Sequence, residues 1–150
     1  MKRFQLSHSA GSTLIELIIV VAIITILASV AMPTFASYRN KSRVSSTMAS
    51  GDAIRSALAS YAASHPAMAY PAAINDHAEL VALVNKYGGQ LSLAAASGRF
   101  SLQNYTPLDR ENDGDVESYT MDLRVSGVPT AMAGWCVVVT PGHITKCDPI

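Results

Sequence analysis

The sequence contains few side chains that could perform chemistry, and the most unusual of them is Glu16. This carboxylate lies inside a run of apolar residues that extends from Leu14 to Met32. A charged side chain in the hydrocarbon of a bilayer costs about 2.5–3.5 kcal/mol on insertion scales, so such residues usually have a partner. No basic side chain occurs between Arg3 and Arg39. We therefore expect Glu16 to pair with another chain, or with a group that is not a side chain.

A second candidate for chemistry is the dense acidic stretch DRENDGDVESY, which begins at Asp109. Its carboxylates approach the spacing of an EF-hand calcium loop, but the twelfth position is Thr120 instead of the bidentate glutamate. A solvated loop with an Asp-Gly turn is the simpler interpretation, and a calcium site is the alternative. The candidate calcium ligands are Asp109, Glu111, Asp113 and Asp115.

The remaining residues form no recognisable catalytic site. The four histidines are isolated from one another and have no second ligand at a metal-like spacing. The chain has neither a glycine-rich phosphate loop nor a Gly-x-Ser-x-Gly elbow. It has 11 basic and 11 acidic residues, and two of the basic ones precede the apolar run, so the body is slightly acidic. We expect no enzyme, no cofactor other than the possible calcium, and no nucleic-acid partner.

The apolar run is long enough to cross a membrane as a helix, at about 28 Å for the helical rise. A secretory signal peptide would explain the small residues up to Ala31, but the run exceeds the usual length of about 7–15 residues. A signal anchor would explain the length, with Lys2 and Arg3 holding the N-terminus in the cytoplasm. Neither interpretation accounts for Glu16.

A third interpretation does account for Glu16. The short basic leader, Gly11 and the following STLIEL resemble the class III signal of type IV pilins and of type II secretion pseudopilins. The resemblance implies that prepilin peptidase cuts between Gly11 and Ser12 and methylates the new N-terminus on Ser12. It also implies that Glu16 pairs with the N-terminal amine of a neighbouring subunit, and buried opposite charges are tolerated when they are paired.

The residues after the run are predicted to continue the helix. Pro33 lacks a backbone donor, and its ring crowds the carbonyl of Ser29, so we expect the helix to kink or to end there. The resemblance favours a kink within one long helix. Apolar residues at helical spacing, including Ile54 and Leu58, predict that residues 34–64 form its second half.

The rest of the sequence predicts a short helix and a small sheet. A helix is expected from about Asp76 to Tyr87, with Asp76 as its cap and two glycines at its end. Four β-rich runs follow Arg99, and Pro141-Gly142 predicts a hairpin turn between the last two. A long helix followed by an antiparallel sheet is an α+β fold, and it matches the architecture of the pilin fold.

Cys136 and Cys147 are the two cysteines of the chain, and they flank the last predicted hairpin. Paired cysteines after a membrane-type segment suggest an oxidising compartment, although two free buried thiols are the alternative. A disulfide would stabilise the domain by about 2.8 kcal/mol through loop closure. The pair resembles the C-terminal disulfide-bound region of type IV pilins, which core pseudopilins generally lack.

These observations predict a structural subunit of a type IV pilus, of the kind that serves twitching motility or cell adhesion. Residues 1–11 would be the leader, 12–33 the transmembrane and assembly helix, and 34–150 the globular domain. The precursor would lie in the inner membrane with its N-terminus cytoplasmic and its body periplasmic. After cutting, pilus assembly machinery would add it to an extracellular homopolymer. The alternatives are a type II secretion pseudopilin or minor pilin, and a membrane-anchored periplasmic binding domain that never assembles.

Overall fold

The computed structural model of the chain describes residues 13–128 and 135–147. The chain divides into two compact units, Met1–Tyr38 and Arg39–Ile150. Helix α1, Leu14–Ala63, supplies nearly all of the described structure of the first unit and begins the second. The helix is continuous through Pro33. The helix therefore does not end at Pro33, whereas the kink at this residue stays a prediction.

In the first unit, the apolar side chains of α1 are exposed all along the helix. Their exposed fractions range from 48% at Val20 to 77% at Leu14. The hydroxyls of Thr25 and Ser29 donate to the carbonyl oxygens of Ala22 and Ile26, each at 2.8 Å. Hydroxyls bonded to their own helix need no water, so the segment is suited to an apolar environment.

In the second unit, one face of α1 packs onto the globular core. Gly51 lies where the helix passes close to the sheet, because a Cβ atom there would lie 3.1 Å from a methyl of Val139 and 3.3 Å from a methyl of Ile144. The buried positions recur every three or four residues, as a helix with one apolar face requires. They are Asn40, Val44, Thr47, Ser50, Gly51, Ile54, Ala57, Leu58 and Ala62.

The sheet has four antiparallel strands in the order of the chain: β1 (Phe100–Leu108), β2 (Ser118–Val125), β3 (Cys136–Val139) and β4 (Ile144–Lys146). Alternate residues of β2 are buried on the face that contributes to the core, as expected for a strand with one solvated side. The turn between β3 and β4 is closed by a hydrogen bond from the Thr140 amide to the His143 carbonyl, at 3.0 Å. The predicted α+β fold, with a long helix and a small antiparallel sheet, is confirmed.

Two further helices complete the core. Helix α2, His77–Lys86, is capped by Asp76, whose carboxylate accepts the Glu79 amide at 2.7 Å, as predicted. The Glu79 carboxylate in turn accepts the Asn75 amide at 2.8 Å. Helix α3, Leu93–Arg99, was not predicted from the sequence. A single 3-10 turn, Pro66–Met68, lies between α1 and α2.

Candidate functional site

Glu16 lies in the first turn of α1, where the chain enters the helix. The Thr13 hydroxyl accepts the Glu16 amide at 3.3 Å, and the spacing Thr13-x-x-Glu16 is that of a capping box. The amide groups of the first turn also favour a negative charge there, by about 0.3–1 kcal/mol. This local role of Glu16 was missed in the sequence analysis, although the capping pattern can be read from the sequence. The predicted cleavage and methylation residues, Gly11 and Ser12, lie outside the described residues.

Glu16 is also the only charged residue in the segment between Leu14 and Tyr38. The helix is long and apolar enough to cross a membrane, and none of its most apolar stretch is buried within the chain. A helix that is apolar on all sides requires an apolar environment, either lipid or protein. The described chain itself does not cover this surface, so the segment is built to contact something else.

The N-terminal segment is similar to a known protein family. Residues 6–32 match the family model of the prokaryotic N-terminal methylation motif. The chain carries this methylation motif. The match includes Gly11, Ser12 and Glu16, and it is consistent with the type IV pilin and pseudopilin family. No curated protein and no solved structure matches the chain.

The methylation motif supports a pilin-like or pseudopilin precursor that is anchored in a membrane by its apolar helix. Such a precursor is a structural protein and a substrate of prepilin peptidase. The match ends directly before Pro33.

The two cysteines lie opposite each other at the open end of the last hairpin. Cys136 begins β3, Cys147 follows β4, and their Cα atoms are 5.2 Å apart with the sulfur atoms bonded. The Cys147 amide donates to the Cys136 carbonyl at 3.0 Å, which continues the pairing of the two strands. The disulfide therefore fastens the β3–β4 hairpin.

The acidic stretch forms the loop between β1 and β2. It brings together Asp109, Asp113 and Glu117, whose ligand oxygens lie within 4.8 Å of one another. Two of these were predicted from the sequence, and Glu111 and Asp115 do not belong to the group. Glu117 belongs to the predicted acidic stretch but was not among the four candidate ligands, because its proximity depends on strand register. Leu108 pairs with Ser118, so the loop returns beside its own start.

The carboxylates of this loop already hold its backbone. Asp109 accepts the amides of Asn112 (2.6 Å) and Gly114 (3.0 Å), and Glu117 accepts the amide of Arg110 (2.8 Å). Asn112 and Gly114 both have positive φ, of 55° and 94°, so the loop turns sharply at these residues. Calcium takes six to eight oxygen ligands, and oxygens of Asp109 and Glu117 already accept these backbone amides. The loop geometry accounts for the cluster without an ion, and calcium stays a hypothesis.

Histidines and tyrosines of the second unit lie in packing positions. His65 stacks on Tyr61, His77 contacts Phe100, and His143 bonds Thr140 in the last turn, so these three histidines are in separate places. A shallow groove of about 460 Å³ is lined mainly by alanine, serine and glycine, and the only ring that lines it is that of Tyr87. The Ser64 hydroxyl lies 3.2 Å from Nδ1 of His65, and the Thr140 hydroxyl lies 3.1 Å from Nδ1 of His143. Both pairs are exposed and lie outside the groove, so neither is placed as a catalytic pair in a pocket.

Two tyrosines in the core have very different hydrogen-bonding environments. Tyr105 donates its hydroxyl to the Pro71 carbonyl at 2.7 Å, whereas the buried Tyr119 hydroxyl has no protein partner among the described residues. Burial is the main cause that raises the pKa of both phenols above the ordinary value of 10.0. Both side chains therefore stay neutral near neutral pH, and their role is packing.

Proposed function

We propose that the chain is a structural subunit of a type IV pilus. The observation that carries the proposal is a methylation motif at the head of a helix whose apolar side chains, from Leu14 to Tyr38, are exposed. Exposed apolar surface of this extent favours transfer into lipid or into a packed assembly. The membrane provides the lipid environment before assembly, and a filament of identical subunits provides the packed one.

The mechanism follows from the charge at the start of the helix. Prepilin peptidase cuts the precursor after Gly11, and the cut leaves an α-amine on Ser12 at the head of the apolar segment. The peptidase then methylates this amine. Glu16 of one subunit then pairs with that amine of its neighbour when the helices leave the lipid and pack together. Removing one partner of a buried ion pair costs about 3–5 kcal/mol, so a correctly placed neighbour is strongly preferred over a displaced one. The pair thus sets the axial position of each subunit.

The proposed assembly assigns a role to each part of the chain. Residues 1–11 are the leader, residues 12–33 are the transmembrane and assembly helix, and residues 34–150 form the domain that faces the periplasm and later the filament surface. The partners are further copies of the same chain, prepilin peptidase and the assembly machinery of the pilus. The Cys136–Cys147 disulfide favours a pilus over a secretion pseudopilus, since it fastens a C-terminal hairpin of the pilin type.

A pseudopilin of a type II secretion system is the second candidate. The observation that favours it is the group of Asp109, Asp113 and Glu117. The N-terminal signal resembles that of the pseudopilins, and major pseudopilins carry calcium in a late loop. Calcium titration of the full chain in micelles distinguishes the two candidates. Calcium that binds tightly and protects the loop amides from exchange supports the pseudopilin, and the absence of calcium binding supports the pilus subunit.

The test of the proposal is mass spectrometry of the N-terminus in filaments sheared from cells. We expect mature chains that begin at Ser12, carry one methyl group on the terminal amine, and form most of the filament. A mature membrane protein that still begins at Met1 would contradict processing and would favour the plain membrane-anchored domain. A processed chain found at trace level would favour a minor pilin.

The role of Glu16 is tested with a matched pair of variants that separates its charge from its capping function. Glu16→Gln keeps a side chain that suits a capping box but removes the charge, whereas Thr13→Ala removes the cap oxygen and keeps the charge. We expect both precursors to be cut, and the Glu16→Gln subunit to enter filaments at least about 100-fold less than wild type, from the 3–5 kcal/mol above. Thr13→Ala should incorporate nearly normally. Normal incorporation of Glu16→Gln would refute the ion pair.

A further inference from the structure

His77 lies at the start of α2 in an unusual environment for an ionisable side chain. Both ring nitrogens are buried and have no hydrogen-bond partner within the described part of the chain, although the residue as a whole is only partly buried. Its ring packs edge-on against Phe100, with the ring centres 5.0 Å apart and the planes at 69°. Phe100 is fully buried at the start of β1, so His77 connects the first turn of α2 to the core.

This environment disfavours a proton on the ring. A charged imidazolium needs two acceptors for its N–H groups, and neither nitrogen has one among the described residues. The ring also lies in the first turn of α2, where the backbone amides favour negative charge and oppose positive charge. Phe100, the contact from β1, carries no charge.

The Asp76 carboxylate acts in the opposite direction. Asp76 is the N-cap of α2, directly before His77, and its oxygen is already held by the Glu79 amide. It is the one charged group in the described chain whose field on His77 is appreciable, and burial outweighs it. Burial of the ring therefore lowers the pKa of His77 below its ordinary value of 6.5.

We infer that His77 is an acid-sensitive latch, which holds the first turn of α2 on β1 while its ring is neutral and releases it when the ring takes up a proton. The released ring gains water as its partner, and the helix start moves away from Phe100. The inference depends on the fold of the globular unit and does not require the proposed filament. A subunit of this kind would loosen at the α2 end of its domain in acidic surroundings.

The sign of the effect follows from linkage. Below pH 6.5 the open state, in which the ring meets water, binds more protons than the closed state. The closed state is therefore most favoured above pH 6.5 and is lost progressively as the pH falls from 6.5 to the lowered value in the fold. Between these limits the opening equilibrium constant rises by up to about tenfold for each pH unit.

The test is hydrogen exchange of the full chain in neutral micelles from pH 7.5 to pH 4.5, corrected for the intrinsic pH dependence of exchange. The Leu80 and Val81 amides in α2 should lose protection by up to about tenfold per pH unit below 6.5, while the Leu123 amide in β2 should lose much less. In His77→Leu, which places an apolar side chain on Phe100, this loss should disappear. The control His143→Gln, which removes an exposed histidine in the last turn, should retain it.

A second measurement on the wild-type chain does not depend on any variant. The imidazole resonances of His77 are followed by NMR over the same range, and we expect their titration midpoint below pH 6.5. An ordinary or raised midpoint would overturn the inference. It would equally be overturned if His77→Leu lost protection at α2 with the same pH dependence as wild type.

Discussion

Replacing Tyr105 and replacing Tyr119 by phenylalanine should have different effects on stability, although the chemical change is identical. Tyr105 donates a hydrogen bond of 2.7 Å to the carbonyl of Pro71, which is itself buried. Tyr119 is 1% exposed, and its hydroxyl has no partner among the described residues. The rings of the two tyrosines pack against each other with centres 5.8 Å apart, so both variants perturb the same region of the core.

The expected magnitudes follow from these contacts. Tyr105→Phe loses a hydrogen bond, at about 1 kcal/mol, and leaves a buried carbonyl without its partner, so we expect the free energy of unfolding to fall by about 1–2 kcal/mol. Tyr119→Phe removes a buried hydroxyl that makes no bond, so the free energy of unfolding should stay within about 0.5 kcal/mol or rise. The two variants should differ by at least about 0.5 kcal/mol, a factor of about two in the unfolding equilibrium.

The assay uses the single tryptophan of the chain. Trp135 packs against the core directly before β3, and its carbonyl accepts the Val125 amide at 3.0 Å. Its fluorescence should therefore report unfolding of the globular unit when the full chain in micelles is titrated with urea. If Tyr119→Phe lowered the unfolding free energy as much as Tyr105→Phe, the account of the Tyr119 hydroxyl would be wrong. If the unfolding free energy of the two variants depended on urea concentration with different slopes, the surface exposed on unfolding would differ between them. Their midpoints could then not be compared directly.

Two further predictions concern local elements of the same unit. Asp76→Ala should reduce the protection of the α2 amides against hydrogen exchange by the equivalent of about 0.5–2 kcal/mol. Asp76→Asn can still cap the helix and should keep most of this protection. Equal losses of protection in the two variants would contradict the capping role. Replacing Cys136 and Cys147 together by serine should lower the free energy of unfolding in urea by about 2.8 kcal/mol, and a change below about 0.5 kcal/mol would show that the hairpin holds without the disulfide.

The elements that could be predicted from the sequence are those with a strong local signal. Helix α2 has a cap at Asp76, an apolar face and two glycines after its end, and β2 alternates between polar and apolar residues. The second half of α1 repeats buried positions at helical spacing. In each case the pattern within about ten residues is sufficient to specify the element.

Helix α3 lacks such a signal. Its N-cap, Ser92, makes no side-chain cap bond, and Gly98 lies inside the helix, where glycine is unfavourable. Carbonyl groups of α3 instead accept hydrogen bonds from distant parts of the chain. The Ser126 amide donates to the Arg99 carbonyl at 2.8 Å, and the Thr47 hydroxyl donates to the same carbonyl at 3.3 Å. The helix is stabilised by partners that are 27 and 52 residues away, which no local pattern reveals.

The environment of His77 was equally hidden from the sequence. The sequence shows an isolated histidine next to a capping aspartate, which is typical of an exposed helix start. Its burial depends on Phe100, which reaches it only because β1 begins beneath the first turn of α2. An ionisable group acquires an altered proton affinity from what is packed around it, so this kind of site becomes visible only in three dimensions.

In the proposed pilus subunit, Glu16 would combine a local role and a long-range role, and the size of each decides which one would govern assembly. The amide groups at the helix start favour the charge of Glu16 by about 0.3–1 kcal/mol. This stabilisation is smaller than the cost of about 2.5–3.5 kcal/mol for placing a charged side chain in an apolar environment. The loss of an ion-pair partner costs about 3–5 kcal/mol, so the ion pair outweighs the helix start. The proposed pair could form only after the proposed cut before Ser12 supplies an amine. In the proposed pilus subunit, processing would therefore be the step that makes assembly favourable, because it creates the cation that the apolar segment lacks in its own sequence.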